Sequence, residues 1–206
     1  MRAVSVVATV GGLPVTVAEV DARETRLRAG PLAAALPAVG TSEGRQLRRW
    51  LTQLLVTERV VAAEATTLGV TADNAPDERE LLPDPAARLE IGSVAAAVLA
   101  DPLARALFLV VTSHVHVTDD EVADYHARNP LRFAARPSGP DGWHAPGDSA
   151  PPLHAVWFAI AEQLLGAARR RAFRMWLDAR RSALVDLAPG YEHPGDPRQP
   201  DNTHRH

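Results

Sequence analysis

Two histidine groups and an arginine run are the residues of this chain whose types and spacing could do chemistry. In His114-Val115-His116, alternation along a strand would set both imidazoles on one side, as a metal pair requires. With Asp119 or Asp120 beside it, any of His114, His116, His126 or His154 could act as a general base. Near the C-terminal end, His193, His204 and His206 stand among Glu192, Asp196 and Asp201, and could grip a divalent metal. Plainer readings compete with these: a polar strand edge beside helix-surface histidines, and a solvated tail. The run Arg169-Arg170-Arg171 with Arg174 is a positive patch that suits an acidic partner or an anionic carrier. Glu162, Asp178 and the surrounding alanines and leucines favour a solvated helix face instead.

Composition removes several kinds of chemistry. All 22 basic residues are arginine, so Schiff-base catalysis, a lysine base and the lysine of a phosphate-binding loop are excluded. With no cysteine, there is no thiolate nucleophile, disulfide or cysteine-held metal. The patterns G-x-G-x-x-G and H-E-x-x-H are absent. A net charge of -3 argues against nucleic acid as the partner. No apolar run approaches the length of a membrane span. The run Val4–Val10 is broken by Gly11, Gly12 and Pro14 and lacks a cleavage site, so the expected location is cytoplasmic.

The elements that must position these residues are mostly helical. Alanine, leucine and arginine favour helix, and at 206 residues and 46% hydrophobic content the chain can bury one core. Val4–Val10 reads as a short strand or arm, followed by a Gly11-Gly12 turn. Thr16-Val17-Ala18-Glu19 is a capping box that opens a helix over Val17–Arg28. A long helix is expected from Glu43 to Leu68, with Leu47, Trp50, Leu51, Leu54, Leu55, Val61 and Leu68 on its apolar face. A polar connector over 71–85 precedes helices at 88–99 and 103–110. Residues 111–117 alternate weakly and read as partly extended. Thr118-Asp119-Asp120-Glu121 opens a further helix that stops near Asn129-Pro130. Prolines and glycines make 136–152 a flexible loop, and a last helix runs to about Leu187, with a kink at Gly166. The expected organisation is one helical domain over 1–189 and a polar, Pro/His-rich tail over 190–206, disordered or draped over the body.

Four segments, in order, resemble the SurA/PrsA-like parvulin-type foldases. The opening resembles that family through Gly12, Pro14, Val15, Thr16 and Glu19. The long helix, with Gln53–Arg59 and Glu64-Ala65 before Leu68-Gly69-Val70-Thr71, looks like the family's long helix and its stop. Val117–Val122 with Tyr125, Asn129-Pro130 and Phe133 resembles the lead into the isomerase domain. Arg170, Ala172-Phe173 and Trp176-Leu177 resemble the closing helix. Between Phe133 and Leu164 there is no room for a parvulin domain, so no catalytic residues carry over.

The resemblance implies a mainly α fold, similar to the SurA N-terminal helical chaperone module. It implies a binding module that holds an apolar segment of a client or biosynthetic partner protein, or a carrier-bound acyl chain. Trp50, Tyr125, Phe133, Phe173 and Trp176 are its candidate groove floor, although each also suits plain core. No cofactor is expected, a divalent metal being the one that the histidines leave open. The alternative is an isomerase- or lyase-type enzyme using histidines in a helical cleft, which would bring three such groups to one pocket.

Overall fold

A computed structural model describes residues 5–31, 33–134 and 150–194. The chain divides into two compact units, Met1–Val111 with Phe173–His206, and Thr112–Ala172. The described residues are mainly helical, with one small sheet.

The first unit opens with a β-hairpin. Strand β1 (Val6–Val10) pairs antiparallel with β2 (Leu13–Thr16), and Val10 faces Leu13 across the turn. Gly11 and Gly12 both take positive φ, 56° and 80°, as a tight two-residue hairpin with the right twist demands. Helix α1 (Val17–Arg28) follows directly, and its capping box is formed: the Thr16 hydroxyl accepts from the Glu19 amide, and the Glu19 carboxylate accepts from the Thr16 amide.

Helix α2 (Ser42–Leu68) is capped by Thr41 and ends at Gly69, whose φ of 65° allows the left-handed stop. At its first turn the chain passes so close that a Cβ on Gly44 would lie 2.4 Å from the Ala38 carbonyl oxygen. Four shorter helices come next: α3 (Glu78–Leu81), α4 (Pro85–Ile91), α5 (Ser93–Val98) and α6 (Pro102–Val111). The helix expected over 88–99 is thus two helices, because Gly92 adopts φ 91° and breaks the hydrogen-bond ladder.

Helix α7 (Asp119–Arg128) lies in the second unit, and α8 (Leu153–Leu184) belongs to it up to Ala172 and to the first unit from Phe173 onward. Helix α8 runs unbroken through Gly166 and stops at Leu184, short of the expected Leu187. Residues Val185–Leu187 instead form β3, antiparallel to β1, giving the sheet order β2-β1-β3. The strand is secured at both ends by the Gly11 amide on the Leu184 carbonyl (2.8 Å) and the Ala188 amide on the Val7 carbonyl (2.9 Å).

The core of the first unit gathers Val7 and Val15 from the hairpin, Val20 from α1, and Leu51, Val56 and Val60 from α2. Leu99, Leu107, Phe108, Phe173 and Leu177 complete it. Each such side chain contributes about 1.5–3 kcal/mol of apolar burial. Leu68, expected on the apolar face of α2, is half exposed at the end of the helix. Charged pairs fasten α1 to α2: Arg48 to Asp21 (2.6 Å) and Glu24 (2.7 Å), Arg23 to Glu58 (2.6 Å), and Arg59 to Glu19 (2.5 Å).

In the second unit, Thr118 caps α7 with a complete capping box, and Val122 and Ile160 are fully buried. The Tyr125 ring packs edge-on to Phe133, and its hydroxyl accepts from the Gln163 amide at 3.0 Å. Residues 111–117 contain no strand: Val111 ends α6, and the chain then turns, with the Val115 amide bonded to the Thr112 carbonyl.

Candidate functional site

One face of α2 carries a polar stripe that is buried rather than solvated. Arg49, Gln53, Thr57 and Glu64 recur at helical spacing and all lie inside. Their partners come from the far end of the chain. Arg49 Nε donates to the Gly190 carbonyl (3.1 Å), and Gln53 Nε2 to the Tyr191 carbonyl (2.8 Å). Arg180 pairs with the Glu64 carboxylate at 2.6 Å. Arg181 donates to the Thr57 hydroxyl at 2.7 Å and to the Gln53 side-chain oxygen. The Thr57 hydroxyl donates to the Gln53 main-chain carbonyl at 2.7 Å, which leaves its oxygen to accept from the guanidinium.

Beside this stripe the first unit holds a cavity of about 640 Å³. Its apolar wall comes from Leu89 and Ile91 of α4, Val94 of α5 and Leu177 of α8. Arg174, Asp178, Arg181 and Ser182 of α8 line it too, with Ser93 and His193. Helices α4 and α5 contribute because Gly92, also in the lining, redirects the chain between them. Burial lowers the proton affinity of Arg181 below the ordinary arginine value, and the Asp178 carboxylate works in the opposite direction. A volume in this range suits a small ligand or a side chain, and the lining is about half apolar and half polar.

Residues 6–43 match a family of unknown function, DUF7158. That match takes in the hairpin, α1 and the first residues of α2, and none of the residues that line the cavity. No curated protein and no solved structure matches the chain.

Among the described residues, the histidines are not gathered into a metal-type group of three. His114 and His116 lie in irregular chain, exposed, with His116 Nδ1 3.1 Å from the His114 carbonyl oxygen. The strand geometry that would pair their imidazoles is therefore absent. His126 on α7 has its Nε2 2.8 Å from the Pro151 carbonyl oxygen, which engages that nitrogen as a donor. His154 is exposed at the start of α8. His193 is exposed and lines the cavity, whereas His204 and His206 fall outside the described residues, as does most of the expected loop 136–152. Among the described residues, no group of three or more histidines and carboxylates is placed to hold a metal ion.

The five aromatic candidates divide between the units. Phe173 is fully buried and packs on Phe108 (5.0 Å) and Trp176 (5.6 Å), which makes it core. Trp176 is half-buried at the edge of that stack. Trp50 lines a shallower cavity of about 390 Å³ with Arg23, Arg26 and Leu27. Tyr125 and Phe133 form their own pair in the second unit. In the arginine run Arg170 is buried and Arg171 exposed, so these residues do not share one solvated face. Among the described residues, no helix is long and apolar enough to cross a membrane.

The cavity has little signature in the sequence: Arg174 reads there as part of an arginine patch or solvated helix face, and Leu89 as part of a helix over 88–99. A signal was present in Gly92, since an isolated glycine in a helical pattern marks a change of direction.

Proposed function

We propose that the protein is a non-catalytic binding module that holds an apolar segment of a partner polypeptide, with the cavity of the first unit as its site. The observation that carries this reading is the cavity's wall, in which Leu89, Ile91, Val94 and Leu177 meet two arginines. Apolar walls supply affinity, and a few polar groups supply orientation. The resemblance of four segments to the SurA/PrsA-like foldases supports a client polypeptide as the occupant. His114, His116 and His154 are exposed and His126 is engaged by the Pro151 carbonyl, which favours binding over acid–base chemistry, since that chemistry needs its groups free and within reach of one reacting atom.

Leu89 gives the cleanest test, because it lines the cavity and yet is 82% exposed. Replacing it should alter the site and leave folding intact. In calorimetric titrations with short leucine-rich peptides, Leu89→Asp is expected to weaken binding about fivefold or more with an unchanged melting temperature. Equal binding by the variant and the parent would move the site elsewhere. Failure of the parent to bind any such peptide would end the reading.

A further inference from the structure

Several arginines of the first unit are matched by carboxylates, and Arg181, which lines the cavity, is not. Arg23, Arg48, Arg59, Arg88 and Arg180 each reach a carboxylate within 2.5–2.7 Å. Arg181 has no carboxylate within ion-pair distance among the described residues, and both acceptors that it does reach, Thr57 and Gln53, are neutral. Neutral acceptors orient a guanidinium without cancelling its charge. A charge held partly out of water, with its nearest described carboxylate, Asp178, beyond ion-pair distance, is incompletely compensated, and an anion that enters beside it removes part of that penalty.

The remaining groups agree. Arg174 adds a second positive charge, and its one described bond, to the Glu90 carbonyl, is long at 3.4 Å. Ser93 and Ser182 offer hydroxyl donors. Among the described residues, Asp178 is the one carboxylate in the lining, and it is exposed. Arginine's planar fork suits a carboxylate, and two of the Arg181 donors are already fixed by α2, so the fork is held in place before a ligand arrives.

We infer that the cavity is an organic-anion site, taking a carboxylate carried on an apolar body, with Arg181 and Arg174 holding the carboxylate and Leu89, Val94 and Leu177 the body. This rests on the reading of the cavity as the binding site, and it specifies the chemistry of the occupant. Such a group is offered by the free end of a polypeptide with an apolar last residue, and also by an aliphatic acid.

The test titrates a leucine-ended hexapeptide as free acid, the same peptide as its terminal amide, and octanoate, into the full chain and two variants. The free acid is expected to bind about tenfold or more tightly than the amide. That ratio should fall to about one in Arg181→Met and part of the way in Arg174→Gln. Because Arg181 also bonds to α2, circular dichroism and a melting curve establish that its variant is folded. If it is not, the exposed Arg174 variant and the loss of the acid's advantage at high salt decide the matter. Octanoate binding with both peptides silent would uphold the anion site and overturn the polypeptide reading. Equal binding of acid and amide would overturn the anion site and leave the polypeptide reading standing. No binding by any of the three would overturn both.

Discussion

Phe173 and Trp176 stand one helical turn apart on α8 and have different jobs. Phe173 is sealed between Phe108 and Trp176, so truncation leaves a hole that its neighbours cannot fill. Phe173→Ala should cost about 3–5 kcal/mol of stability, and Trp176→Ala, at the half-buried edge, clearly less. Chemical denaturation of the two variants checks the order, and a larger loss at Trp176 would contradict this placement. At the scale of single residues, local signals were legible in the sequence. Thr16 with Glu19 and Thr118 with Glu121 form the capping boxes that their spacing announces, since both partners lie within one turn. The stripe of Arg49, Gln53, Thr57 and Glu64 was not legible. A polar stripe at helical spacing reads as a solvated face until its partners are known, and those are Gly190, Tyr191, Arg181 and Arg180, more than a hundred residues on.

Between elements, the attachment of α1 to α2 makes stability depend on acid. Burial alone would raise the Glu24 carboxyl above its ordinary value, but the bonds from Arg28 and Arg48 outweigh it and hold the group below that value. Glu19 is lowered as well, chiefly by the Thr16 backbone amide, with its hydroxyl and Arg59 adding to the effect against a smaller opposing contribution from burial. A carboxyl depressed in the folded state stabilises fully above its unfolded value, here 4.5, and loses that contribution as pH falls through the folded value. The denaturation midpoint should therefore drop between about pH 5 and about pH 3, and drop less steeply in Glu24→Gln. The variant should also be about 1–3 kcal/mol less stable at neutral pH. A variant with the parent's pH profile would show that Glu24 carries none of this dependence. Elements were legible in proportion to their length. Helix α1 and the body of α2 follow from periodicity and caps, whereas β2 and β3, of four and three residues, are too short to show alternation. Strand β3 exists because β1 offers it hydrogen bonds, and that partner lies near the opposite end of the sequence.

For the molecule as a whole, the first unit is discontinuous in sequence. Its core requires Phe173 and Leu177, and β1 is completed by β3, all of which follow the second unit along the chain. A fragment ending at Val111 would expose the surfaces around Phe108 and leave β1 with one neighbour. It should show helix by circular dichroism without a cooperative melting transition, and a sharp transition would refute the interdependence. The same sheet restricts how a partner can be gripped. Its outer strands are short, and Pro14 sits in one of them, deleting a main-chain donor. An extended peptide would find few main-chain groups to pair with at that edge. On the proposed reading of the cavity, recognition would rest on side chains and terminal charge, and selectivity would follow the composition of the bound segment more than its backbone shape.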